Sequence, residues 1–353
     1  MDAFGWAVVA LAVFFLLFFS FTNGFNDASA VVATTIASGA ASPRNAVVLA
    51  AVTGALGVVL GGSAVANTIK KMVVLPPHVA GAPQLSAVAI VGAALAGAVL
   101  WNLTTWRLGI PSSSSHALVG GLVGAALVAR GPDAVNWGAA WLSDPLHQPI
   151  GGLAGVVFGL VLAPALGLSA AWGIHKVVKL ALRNARFRVN THLKRAQILT
   201  SSVLSFAHGA NDGQKAMGIF VVILLYSDLE GGDSVPLWVR AVVLGTITAG
   251  TLGGGWPIMK TLGRRIFKLE PVHSLDSQVA SAAVLFGATN FGAPVSTTHV
   301  VAASVMGVGA AERVSAVRWD VAKHILQAWG TTIPASALAA GAIMAALHYG
   351  AGL

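Results

Sequence analysis

GFNDASAVVATTIASG, Gly24–Gly39, places a carboxylate, Asp27, between two apolar stretches. HGANDGQKAMGIF, His208–Phe220, does the same with Asp212, behind the same Gly-x-Asn-Asp. The fold turns on what these segments are. Asn-Asp ahead of an apolar run is first of all a helix N-cap. At lipid depth, Ser or Thr would cap more cheaply, because an ionised Asp inside a membrane span costs several kcal/mol unless paired. Its appearance twice, at matching places, points to function.

The surrounding chain is membrane-like. Of 353 residues, 56% are hydrophobic and 9% charged, and the mean hydropathy is +0.78. A soluble domain carries about 25% charged residues. The apolar runs are continuous, whereas a transmembrane β-barrel shows alternating segments. The 41 glycines suit close helix approach and helix breaks in a bilayer. There is no cysteine, hence no disulfide and no thiolate metal site. The net charge of +9 could suggest nucleic acid, but the basic residues stand at the ends of apolar runs, the topology signal of a membrane protein. Phe4–Thr22 has no basic n-region and no small-residue cleavage site, so it reads as mature sequence. The expected fold is an all-α polytopic membrane protein of about 10–12 transmembrane segments, multi-pass in the cell membrane.

An internal repeat organises it. IPSSSSHALVGGLVGAA, Ile110–Ala126, is matched by APVSTTHVVAASVMGVG, Ala293–Gly309. The interval from Asp27 to His116 is nearly that from Asp212 to His299. RNAVVLAAVTGALG from Arg44 resembles VRAVVLGTITAGTLG from Val239, in the same order. Two inverted repeats with discontinuous helices are therefore expected: residues 1–172, then a basic cytoplasmic loop at 173–195, then 196–353. The loop holds seven Lys or Arg and no acid. Ser227–Pro236 is acidic and falls outside, and Lys260–Lys268 is basic and falls inside. Lys70 and Lys71 would lie outside, against the charge rule. Residues 196–207 and 214–226 make one crossing, interrupted at the motif.

Pro111 and Pro294 each precede a hydroxyl run that opens an apolar segment, as helix starts do. With Asn26 and Asn211 this gives four expected broken-helix N-termini. Brought together, their free N–H groups and dipole ends form an anion site. Ser113, Ser114, Ser115, Ser296, Thr297 and Thr298 add neutral hydrogen bonds to a tetrahedral oxyanion. Asp27 and Asp212 would repel that anion. Three compensations are open: a Na+ held by Asn26, Asp27, Asn211, Asp212, Ser115 and Thr298; a protonated Asp; or a substrate that donates a proton, as phosphate does and sulfate does not. His116 and His299 are structural hydrogen-bonders or proton carriers. Lys215 is a substrate cation or an ion-pair partner. His208 stands opposite Asn23 in the repeat. His175 and His192, in the basic loop, are expected to be solvated.

With GFNDAS, GANDGQKAMGI, PSSSSHALVGG and PVSTTHVVAAS placed, the chain resembles the inorganic phosphate transporter family over nearly its whole length. The resemblance implies a secondary transporter that symports phosphate with Na+ or H+, has no enzymatic cofactor and forms a homodimer in the lipid membrane. It also implies that Asn26, Asp27, Asn211, Asp212, Ser113–Ser115 and Ser296–Thr298 line the phosphate and cation sites. Larger members carry a long central hydrophilic domain; here that segment is short.

The rivals are a sulfate or metal–phosphate carrier on the same scaffold, an intramembrane hydrolase and a passive channel. The chain lacks a Gly-x-Ser-x-Gly elbow, and catalysis would not need each motif twice. Paired helix breaks with buried acids suit a closed midplane site better than a pore.

Overall fold

A computed structural model describes residues 1–70, 75, 84–144, 147, 151–229 and 235–351. Lys71 and residues 230–234 of the acidic segment lie outside the described residues. Among the described residues thirteen α-helices follow one another: α1 Ala3–Ala37, α2 Pro43–Leu60, α3 Ala64–Lys70, α4 Leu85–Leu108, α5 Ser114–Arg130, α6 Ala139–Ser143, α7 Gly152–Ala181, α8 Val189–Tyr226, α9 Leu237–Gly253, α10 Trp256–Lys260, α11 Pro271–Asn290, α12 Thr297–Glu312 and α13 Trp319–Ala351. A π-helical turn, Thr261–Arg265, extends α10.

Among the described residues, α1, α2, α4, α7 and α13 are each long and apolar enough to cross a bilayer. The α9–α10 pair, bent by 56°, makes a sixth if it is one span. α8 is long enough, but its polar motif lies mid-helix and lowers its hydropathy.

The expected breaks at the two Asn-Asp motifs are absent. α1 runs unbroken through Asn26 and Asp27, and α8 through Asn211 and Asp212. The physical reason is that Asn26, Asp27 and Asn211 find partners on other segments, and Asp212 pairs with Lys215 and His208 along its own helix, so none of them caps a helix start. Of the four expected breaks, those at the starts of α5 and α12 are present, and both are built alike. Gly109 and Gly292 take positive φ (65° and 69°), which glycine adopts without strain. Pro111 and Pro294 follow. Ser113 and Ser296 then cap the half-helices by accepting from His116 N and His299 N, each at 3.2 Å. The basic stretch 173–195 is helical at both ends, with 182–188 joining α7 to α8.

The two halves exchange helices. α5 packs between α4 and α13, and α12 between α11 and α7. α9 packs on α1, and α2 on α8. The close approaches are matched too. Gly209 on α8 meets the backbone of Gly54 on α2, and Gly24 on α1 meets that of Gly250 on α9, so a Cβ at either motif glycine would collide. α1 and α8 cross antiparallel. Ser38 at the end of α1 donates to Gln197 near the start of α8 at 2.6 Å, and Thr35 donates to Ser201 at 3.0 Å.

Candidate functional site

Where α1 and α8 cross, the starts of α5 and α12 meet them. Thr298 Oγ1 donates to Asp27 Oδ1 at 2.7 Å. Lys215 Nζ donates to Asp212 Oδ1 at 2.5 Å, to Ser115 Oγ at 2.6 Å and to the Val295 carbonyl at 2.9 Å. Ser115 Oγ donates to the same carbonyl at 3.3 Å. His208 Nδ1 lies 3.1 Å from Asp212 Oδ2 and 3.3 Å from Thr297 Oγ1. Asn23, its amide assigned from its neighbours, donates to Asp27 Oδ2 at 2.6 Å, Ser114 Oγ at 3.2 Å and Asp212 Oδ2 at 3.3 Å. Every one of these side chains is buried.

Asp27, Asp212, Ser114, Ser115, Thr297 and Thr298 are thus brought together as expected from the sequence. Ser113 and Ser296 serve as caps. The first two N–H groups of each half-helix, at Ser114 and Ser115 and at Thr297 and Thr298, precede their helix's own ladder of carbonyl acceptors, the donors that a helix start offers to an anion. Asn26 and Asn211 are also buried but make their hydrogen bonds away from this cluster. Asn26 Nδ2 donates to the Asn102 carbonyl at 3.2 Å, and Asn211 Nδ2 to Thr289 Oγ1 at 2.9 Å and the Ala293 carbonyl at 3.3 Å. Their Oδ1 atoms are buried without a partner. Such acceptors suit a hard cation, which takes oxygen ligands.

The two carboxylates differ. Asp212 has Lys215 and His208 in ion-pair range. Asp27 has only neutral donors, Thr298 and Asn23, and among the described residues no cationic side chain pairs with it. A buried carboxylate in that position requires a proton or a cation. Behind the half-helix starts, the His116 and His299 rings lie 4.7 Å apart, and His299 stacks on Trp329 at 3.8 Å. Among the described residues, none of the four ring nitrogens has a hydrogen-bond partner.

Asn23 escaped the sequence reading, which named it only as the counterpart of His208. The available signal was spacing: Asn23 lies one helical turn before Asp27, as His208 does before Asp212, on the same face. His175 needs correction. It is buried, with Nδ1 2.7 Å from Asp276 Oδ2 and Nε2 2.9 Å from Glu312 Oε1. Glu312 also pairs with Lys179 and lies 3.5 Å from His273 Nε2. The acids that claim His175 arrive from α11 and α12, so its basic neighbours in sequence say nothing about its surroundings. His192 is exposed as expected.

The profile of the Phosphate transporter family matches residues 23–193 and again 181–340. A protein of Bacillus subtilis named a probable low-affinity inorganic phosphate transporter is 38% identical over 329 residues, 93% of each chain. One of the same name from Rhizobium meliloti is 40% identical over 324 residues, 91% of each chain. A solved structure titled "The sodium-dependent phosphate transporter" superposes with a TM-score of 0.84 at 25% identity, covering 97% of this chain and 99% of that one.

Proposed function

Because this chain belongs to the phosphate transporter family, we propose that it imports inorganic phosphate by symport with a cation. It is a multi-pass integral membrane protein. The phosphate sits against the starts of α5 and α12, with the free N–H groups and hydroxyls of Ser114, Ser115, Thr297 and Thr298 as donors. The inverted arrangement of the halves is supported by the antiparallel crossing of α1 and α8. The basic segment is then cytoplasmic, and the protein works as a homodimer in the lipid.

One observation carries the coupling: Asp27 is buried with neutral partners only. Na+ is the cation that the unpartnered Asn26 and Asn211 oxygens favour, and the structural neighbour's title names sodium. A second reading, H+, rests on the unpartnered ring nitrogens of His116 and His299. Uptake into proteoliposomes under an imposed Na+ gradient or an imposed pH gradient separates the two, and indifference to both overturns symport.

The rival substrates answer to the same site. A carboxylate beside the anion rewards an oxyanion that keeps a proton, which phosphate does and sulfate does not.

A further inference from the structure

From Asp212, a polar face continues along α8 toward the basic segment through His208, Ser205, Ser201 and Gln197, at three- and four-residue spacing. Along α1, Asp27 is followed on the way to the same end by Thr34, Thr35 and Ser38. All of these side chains are buried. Gln278 of α11 fastens the two helices together. It donates to Thr34 Oγ1 at 3.0 Å and Thr35 Oγ1 at 2.8 Å, and accepts from Thr200 of α8 at 2.5 Å.

The opposite end is closed in another way. In the register set by Asp27 and Asp212, Gln197 and Ser201 correspond to Ala12 and Leu16, and Thr34, Thr35 and Ser38 to Ile219, Phe220 and Ile223. In the register set by Pro111 and Pro294, Gln278 and Ser281 correspond to Leu95 and Ala98. These residues are equally buried. An apolar seal therefore fits this fold, and membrane helices do not need hydroxyls and amides here to pack. Polar groups at membrane depth must pair with one another or face a water-filled path, and the matching positions of the other half do without them. Among the described residues, two polar atoms along the seam, Ser281 Oγ and His208 Nε2, have no hydrogen-bond partner. At its mouth the Lys194 ammonium lies beside Gly39, where a cation draws in an anion.

We propose that the seam between α1, α8 and α11 is the passage between the phosphate site and the side of the membrane bearing the basic segment, and that Gln278 is the clasp that closes it. In this structure the clasp is shut. Opening exchanges its hydrogen bonds for bonds to water, at little net cost per bond, so the seam opens and closes readily. The opposite seal must expose apolar surface to open. The inference rests on the proposed function for the identity of the cargo.

The chain has no cysteine, so Thr35→Cys and Ser201→Cys can be combined without background. Uptake by the reduced double variant tests the proposed function by itself. Oxidation to the disulfide should then stop uptake, and reduction should restore it in the same molecules. Undiminished uptake with the disulfide formed overturns the passage. A second measurement stands without transport. Ser205→Cys should react with an anionic methanethiosulfonate several-fold faster than Leu16→Cys from the basic-segment side, and faster again when Gln278→Ala is added. Equal reactivity at the two positions, or no change with Gln278→Ala, contradicts the assignment.

Discussion

Thr298 Oγ1 donates to Asp27 Oδ1 at 2.7 Å, joining the first turn of α12 to a carboxylate on α1. Across the same site, Lys215 ties Asp212 of α8 to Ser115 in the first turn of α5. Each half-helix start is thus fastened to the Asp-bearing helix of the other half of the chain. The fastenings differ in charge, and several consequences can be measured.

Asp27→Asn and Asp212→Asn should fail differently. Asp27→Asn removes a carboxylate that has no cationic partner, so the protein should insert and stay folded while its uptake loses cation dependence. Asp212→Asn leaves Lys215 buried without its counter-ion, and removing one partner of a buried pair costs about 3–5 kcal/mol. Thermal unfolding in detergent should show a clear loss for Asp212→Asn and little for Asp27→Asn. Equal losses would contradict the difference in their surroundings.

Arsenate should compete with phosphate uptake and sulfate should not. Arsenate shares the tetrahedral shape and the retained proton, and sites built to hydrogen-bond a substrate OH reject analogues lacking it strongly. Equal inhibition by sulfate and arsenate in a competition assay would rule out a proton-reading site.

At Ser115 and Thr298, proline should be worse than alanine. Ser115→Ala loses a bond from Lys215, and Thr298→Ala loses one to Asp27. Each alanine also removes a hydroxyl offered to the anion, and a charge-assisted bond is worth roughly 1.5–3 kcal/mol, so phosphate affinity should fall about ten- to a hundredfold. Proline also removes the backbone N–H offered to the anion and disfavours the helical conformation of the residue before it. If proline is no worse than alanine at the same position, the hydroxyls and not the backbone hold the anion.

His175→Ala should destabilise the protein without touching the phosphate site. It strands the buried Asp276 carboxylate, again at about 3–5 kcal/mol. Unfolding temperature should fall while the phosphate affinity of folded protein is kept. A loss of affinity at unchanged stability would place His175 in the transport path instead.

Much of this was legible in the sequence, because repetition separated signal from habit. Asp27 with Asp212, and Ser115 with Thr298, were recognisable as pairs, and they do converge. The continuity of α1 and α8 was not legible, since Asn-Asp reads alike whether it caps a helix or projects from the middle of one. For Asn26, Asn211 and Asp27, partners on α4, α11 and α12 decide that, and they are far away in sequence. The sequence alone leaves Lys215 between two roles because its counterpart is Ala30; only the fold brings Ser115 and the Val295 carbonyl to it. His175 reads as solvated among its basic neighbours, and is not, because Asp276 and Glu312 come from other helices.

The central claim is that Asp27 takes the coupling cation. The most direct test is phosphate accumulation in proteoliposomes under an inward cation gradient, Na+ or H+, for the unaltered chain and for Asp27→Asn. The account predicts accumulation above equilibrium in the unaltered chain, and at most downhill equilibration, indifferent to the gradient, in Asp27→Asn. Gradient-driven accumulation that survives intact in Asp27→Asn would contradict it.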